Sequence, residues 1–213
     1  MMKIIILGAA GQIARMLTTR LIQESDAELV LYARNATNRL KNPDENRVKI
    51  VDGDFNEEAK LVEAMKDADF IYLNDMNSLE ATEAIVKAAE QAEQPFLIGA
   101  TILGIYDEVA GPFGKWNARM VGQTGTNRHK RSAQIVEKSG LDYSLLRLTW
   151  LYNEVGNLNY MITQKGEPFI GAQVSREAVT QLILDIVSDP NKYRKTSLGV
   201  SEPNTDFAKP SFY

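Results

Sequence analysis

An apolar strand that runs straight into a glycine-broken helix start constrains this chain most. Lys3-Ile4-Ile5-Ile6-Leu7 reads as a short buried strand, and Gly8-Ala9-Ala10-Gly11-Gln12-Ile13-Ala14 opens an amphipathic helix directly after it. Such a junction makes an anion site. The backbone N–H groups of the first helical turn lack intrahelical partners, and the helix dipole favours negative charge there. Gly8 permits the tight turn. Gly11 lets a pyrophosphate approach the backbone around Ala10, Gln12 and Ile13, and Ala14 is small enough for close helix–strand packing. The spacing is Gly-x-x-Gly-x-x-Ala, a departure from the usual Gly-x-Gly-x-x-Gly fingerprint, but it sits in the strand-then-helix context that a dinucleotide site requires. A plain strand–glycine–helix turn is the bland alternative. A secretory signal, with Lys3 as its charged region, is another. Its apolar run, Ile4 to Ala10, is at the short end, and Gln12 and Arg15 continue a helix where a cleavage site would stand.

Composition narrows the classes. The chain has 213 residues, 44% hydrophobic and 24% charged, enough for one domain with a full core. The net charge of −4 argues against a nucleic-acid footprint. With no cysteine and a single histidine, His129, disulfides and thiolate chemistry are excluded and a metal centre is not expected. No apolar run approaches the ~20 residues that span a bilayer, so no membrane partner is expected and the cytoplasm is the default compartment.

Apolar runs alternate with helical patterns along the chain. Strands are expected at Lys3–Leu7, Glu28–Tyr32, Val48–Val51, Phe70–Leu73, Phe96–Ile98 and Tyr143–Leu146, with a last one at Ser197–Val200. Helices are expected at Gln12–Gln23, Glu57–Met65, Leu79–Ala92, His129–Lys138 and Val174–Val187, the last with Ser175 as its N-cap. This alternation predicts an α/β fold, a doubly wound parallel sheet in one domain over residues 1–213. Residues 151–213 form a small carboxyl-terminal extension on the substrate side. Glu108–Thr126, rich in glycine and carrying Trp116, reads as a long loop: an ordered lid, a pocket wall or a surface excursion. Pro203–Tyr213 reads as a loosely held tail.

In such a sheet, ligands bind beyond the carboxyl ends of the strands. That rule picks Gly8 to Ile13 after the first strand and Arg34 after the second. A carboxylate at the second position would bond a ribose 2′-hydroxyl, whereas Arg34 suits a 2′-phosphate; NADP is therefore expected in preference to NAD. Asp54 and Phe55 follow the third strand, where they would meet the adenine, or Asp54 and Asn56 would merely cap a helix. Asn74 and Asp75 follow the fourth, as a contact or a turn. Thr101 follows the fifth, placed to face a reacting carbonyl, and Arg147 to Leu151 follow the sixth, at the nicotinamide end.

These residues resemble the atypical short-chain dehydrogenase/reductases, particularly the NmrA-like and biliverdin-reductase-B-like NAD(P)-binding members. Gly8-x-x-Gly11-x-x-Ala14, Arg34, Gly53-Asp54, Gly104-Ile105-Tyr106-Asp107-Glu108, Ser139 through Arg147 and Val174-Ser175-Arg176 carry the resemblance over nearly the whole chain. It implies a Rossmann fold and NADP-dependent hydride transfer to a small organic substrate such as a quinone or carbonyl. Active members of the wider superfamily use a Tyr-x-x-x-Lys pair. No tyrosine here has a lysine four residues on. Matching backwards from the Ser139–Arg147 strand puts Lys130 near the lysine position, toward the cofactor, and Thr126 at the tyrosine position. Leu148 stands where the group has proline. His129 is a better acid than a threonine near neutral pH, yet it and Lys130 lie about 100° apart on a helix and cannot face one atom. The catalytic candidates are thus Thr101, His129 and Lys130. A non-catalytic NADP(H) sensor is the competing reading. A sugar-nucleotide epimerase is weaker, because it would need the tyrosine and a larger carboxyl-terminal domain.

Overall fold

The structure is a computed structural model describing residues 1–93 and 95–213. Its backbone is a sheet of eight strands. In chain order they are β1 (Lys3–Leu7), β2 (Glu28–Ala33), β3 (Val48–Asp52), β4 (Phe70–Leu73), β5 (Phe96–Ile102), β6 (Tyr143–Leu148), β8 (Met161–Thr163) and β10 (Thr196–Ser201). The order across the sheet is β3-β2-β1-β4-β5-β6-β10-β8, parallel except for β8 against β10. The chain builds outward from β1 in one direction, then crosses to β4 and builds in the other. The switch point therefore lies between β1 and β4, where a ligand crevice opens in this architecture.

Successive side chains of each strand point to opposite faces and enter two separate cores. Ile4, Ile6, Leu29, Leu31, Phe70 and Tyr72 face α1 (Gln12–Glu24) and α6 (Arg176–Ser188), which pack together. Ile5, Leu7, Val30, Tyr32, Ile71 and Leu73 face α3 (Glu58–Met65), α4 (Leu79–Gln91) and α5 (Gly111–Lys138). Both faces being covered explains why these strands read as continuous apolar runs. Each buried isoleucine or leucine contributes roughly 1.5–3 kcal/mol.

The expected strands and helices are present, most with ends moved by a few residues, whereas the helix expected at His129–Lys138 is only the last part of α5. Ser175 caps α6 as expected, its hydroxyl accepting from the Ala178 N–H. Neither Asp54 nor Asn56 caps α3; its N-cap is Glu57, and the Asp54 carboxylate instead accepts from the Asn56 backbone and amide. Short elements completing the chain are α2 (Ala36–Arg39), β7 (Trp150–Tyr152), β9 (Gln173–Ser175) and α7 (Pro190–Tyr193), with β7 and β9 paired as a separate ribbon.

Two expectations are corrected. Glu108–Thr126 is not a loop: Gly111–Lys138 is helical, with a kink at Gly122, whose φ of 72° is in the left-handed region. Pro112 fits the first helical turn, where its missing N–H costs nothing. Gly114 is forced by packing, since a Cβ there would stand 2.2 Å from the Val109 carbonyl oxygen. Phe113 and Asn117, four residues apart, are both buried on one face. Nor is the carboxyl-terminal tail loose. The Ala172 N–H donates to the Thr205 carbonyl, the Ser211 N–H donates to Gln173 Oε1, and Pro210 is buried. No helix among the described residues is long and apolar enough to cross a membrane.

Candidate functional site

The turn after β1 is built to hold an anion. Gly8 has φ of 78°, a left-handed conformation that its lack of a Cβ allows, and its N–H donates to the Tyr32 carbonyl. Gly11 is the N-cap of α1. No side chain caps that helix, and its first turn carries no acidic residue. By contrast, Ser78 caps α4 and Ser175 caps α6. The open N–H groups of α1 and its dipole are thus left for an external negative group. Asn74 closes the turn from above: a Cβ on Gly11 would stand 2.3 Å from Asn74 Nδ2. The Asn74 amide oxygen in turn accepts from the buried Tyr72 hydroxyl at 3.3 Å.

From this turn a cleft of about 640 Å³ runs across the ends of β1 to β4, in the size range of a cofactor site. Gly8, Ala10, Gly11, Arg34, Asp54, Phe55 and Asn74 line it, so the fold brings together seven of the residues expected to bind the cofactor. Gln12, Ile13, Thr101 and Lys130 are outside its lining. Ile13 turns its side chain into the sheet core and can offer only its N–H. Gln12 is exposed, its Oε1 3.3 Å from the Asn153 amide.

Arginines mark the far end of the cleft. Arg34 is largely exposed and stands 3.8 Å from Asp54. Arg39, five residues later on α2, also lines the cleft and donates to the Arg34 carbonyl at 3.2 Å. Arg15 binds the Ala10 carbonyl and the Arg39 carbonyl, tying the glycine turn to α2. Phe55 stacks on Tyr32, with centroids 5.8 Å apart, and forms one wall. Burial beside Glu57, Asp54 and Asp52 pushes the Tyr32 hydroxyl up to about 12, so it stays protonated and donates to the Asp54 carbonyl. Asp75, expected as a contact or a turn, lines the cleft beside Asn74, and so do Arg39 and Ser78, which the sequence pattern does not single out. A second arginine one helical turn beyond Arg34 is the signal that would have found Arg39.

Beyond β5 the catalytic candidates separate. Thr101 and His129 meet, with Oγ1 3.2 Å from Nδ1, and both are buried. The other ring nitrogen of His129 is 3.9 Å from Asp75 Oδ1. Burial holds His129 below the ordinary histidine value, partly opposed by Asp75 and reinforced by Arg128. Lys130 points elsewhere and pairs with Asp107 at 3.6 Å. Arg147 does not wall the nicotinamide end: it is fully buried and paired with Glu108. Trp116 and Trp150 sit 4.8 Å apart with Tyr213 edge-on to both, and Trp150 donates to Asn117 at 2.9 Å.

The comparisons with known proteins agree with this geometry. The family described as NAD(P)H-binding matches residues 8–190. A short-chain dehydrogenase/reductase of Veillonella parvula is 35% identical over 99% of each chain, with a TM-score of 0.95, in a crystal structure in complex with NADP. A Rossmann-fold NAD(P)-binding family protein of Shigella flexneri is 31% identical over 100% of both chains, with a TM-score of 0.82. ChuY, an anaerobillin reductase of Escherichia coli O157:H7, shares the fold at 20% identity over 98% of this chain and 100% of its own, with a TM-score of 0.77. No curated protein matches the chain. On the matched residues and the relatives that align along its whole length, the chain belongs to the NAD(P)H-binding family of short-chain dehydrogenase/reductase oxidoreductases.

Proposed function

We propose that this protein is a cytoplasmic NADP-linked oxidoreductase that reduces a small organic substrate at a carbonyl or quinone oxygen. The observation that carries the cofactor preference is the pair of arginines, Arg34 and Arg39, that line the cleft at the β2 end, where the ribose of a bound cofactor would lie. Guanidinium groups there form charge-assisted forks with a 2′-phosphate, whereas a carboxylate in place of Arg34 would repel it. The Veillonella relative holds NADP, which supports the same preference.

The residues present fit the group. The α1 N-terminus and the glycine turn take the pyrophosphate, Asn74 packs over that turn, and Phe55 offers a face to the adenine. Bound NADPH supplies the hydride. The chain supplies orientation through the residues that line the cleft. Net negative charge argues for a small-molecule partner over a nucleic acid.

A non-catalytic NADP(H) sensor is the second reading. It is favoured by Lys130 being drawn to Asp107, away from the Thr101–His129 contact, in a chain with no Tyr-x-x-x-Lys pair. Absorbance decay of NADPH against a panel of quinones and carbonyls separates the two. Turnover with any member supports the enzyme, and silence across the panel with NADPH bound supports the sensor.

A further inference from the structure

On the reading that the arginine end of the cleft selects NADP, we infer that Arg15 is a positioning residue for that choice. It clasps the short helix that carries Arg39 to the glycine turn, and so sets Arg39 where a 2′-phosphate would lie.

The clasp is a run of backbone contacts made by arginine side chains. Arg15 Nε donates to the Ala10 carbonyl at 3.0 Å, and its Nη2 donates to the Arg39 carbonyl at 2.6 Å. Arg39 Nη1 in turn donates to the Arg34 carbonyl at 3.2 Å. Ala10, Arg34 and Arg39 line the cleft, whereas Arg15 is outside its lining. One guanidinium thus joins the pyrophosphate side of the cleft to its arginine end from behind.

The helix α2 needs such a tie. It has four residues, Ala36–Arg39, too few to hold their shape by their own hydrogen bonds. Arg39 is its last residue, and carbonyls of a last helical turn have no partner within the helix. Arg15 supplies one. The other end of α2 is fixed separately: the Asn35 N–H donates to Asp52 Oδ1 at 3.0 Å, and Ala36 is fully buried. Loss of the Arg15 side chain therefore frees the end that bears Arg39 and leaves the junction with β2 in place.

The residue type and its position fit this role. Arg15 is the fourth residue of α1, near a helix N-terminus, where the dipole disfavours a cation. Its charge does nothing for the helix itself. A planar guanidinium spans two acceptors in fixed directions, whereas a lysine ammonium is a point charge on a flexible stem. NADPH and NADH share the pyrophosphate that the glycine turn takes and differ at the 2′ position that α2 faces. A tie that acts through α2 changes the affinity for NADPH and spares that for NADH.

The test is fluorescence titration of NADPH and NADH into the parent, Arg15→Gln, Arg15→Lys, Arg39→Gln and the double variant Arg15→Gln/Arg39→Gln. Arg15 is exposed, and its backbone N–H keeps its bond to the Gly11 carbonyl in every variant. Unchanged NADH affinity also reports that the cleft is folded. We expect Arg15→Gln to weaken NADPH about tenfold and leave NADH as in the parent, with Arg15→Lys losing nearly as much. In the Arg39→Gln background, Arg15→Gln should cost almost nothing further, because the two residues act as one unit. Equal loss for both cofactors would show that Arg15 serves the glycine turn alone and would overturn the inference. So would full affinity in Arg15→Lys, which makes charge the cause, or additive losses in the double variant, which make Arg15 independent of Arg39. Failure of the underlying reading is distinct: the parent then binds NADPH and NADH equally, and there is no preference for Arg15 to serve.

Discussion

Glu108 and Arg147 form an ion pair sealed from solvent, with Oε1 2.7 Å from Nη1 and side-chain exposures of 4% and 0%. Glu108 also accepts from the Gly104 and Tyr106 N–H groups, and Arg147 donates to the Thr163 and Ser197 carbonyls. The pair therefore fastens the turn after β5 to β6, β8 and β10. Breaking such a pair leaves a buried charge without its partner, which costs about 3–5 kcal/mol. Glu108→Gln should lower the thermal midpoint by roughly 10 °C in calorimetry. A change of a degree or two would show that water or another group replaces the carboxylate.

Gly11→Ala tests the fit of the cofactor cradle. The new Cβ would collide with the Asn74 amide, which must swing away from the turn or push α1 aside. NADPH affinity should fall at least tenfold by fluorescence titration, while stability changes little because Gly11 is only partly buried. The double variant Gly11→Ala/Asn74→Ala should recover part of the affinity if that collision is the cause.

The two tryptophans report the docking of the tail. Trp116 and Trp150 are the only ones in the chain, and the Tyr213 ring lies 5.2 Å and 5.1 Å from them. Aromatic pairs of this kind contribute about 0.5–1.5 kcal/mol each, less here because Tyr213 is half exposed. Tyr213→Ala should shift tryptophan emission to the red and raise acrylamide quenching, at a stability cost of about 1 kcal/mol. Unchanged emission would mean that the tail does not cover the tryptophans in solution.

His129 also links stability to pH. Burial holds its folded value below the unfolded one, so the unfolded chain binds more protons between the two. The stability due to neutral His129 is complete above about pH 6.5 and is lost as the pH falls toward the folded value. Urea midpoints of the parent should fall more steeply over that window than those of His129→Gln. Parallel curves would contradict the buried neutral ring.

The sheet was legible in the chain because each parallel strand is covered on both faces, which makes Lys3–Leu7 or Phe70–Leu73 an unbroken apolar run. The cofactor cleft was legible for a related reason: it follows from strand ends, so Gly8, Arg34, Asp54 and Asn74 could be placed together before any contact was seen. What escaped depends on contacts between distant segments. The stretch of α5 from Gly111 to Gly125 holds Gly111, Gly114, Gly122 and Gly125, a density that reads as loop, yet Gly114 is there to clear the Val109 carbonyl and Gly122 to make the kink. The tail was misread because its anchors, Gln173 and the two tryptophans, lie far back in the chain. The approach of Asp75 to His129 joins positions on different elements and has no local signature.

The central claim is that the arginine end of the cleft selects the 2′-phosphate. It is tested most directly by titrating NADPH and NADH into the parent and into Arg34→Glu, following cofactor fluorescence. Charge-assisted hydrogen bonds contribute about 1.5–3 kcal/mol, which corresponds to a loss of roughly 10- to 100-fold. The parent should bind NADPH more tightly than NADH by about that factor, and Arg34→Glu should erase the difference by weakening NADPH alone. Equal affinity for both cofactors in the parent would contradict the account.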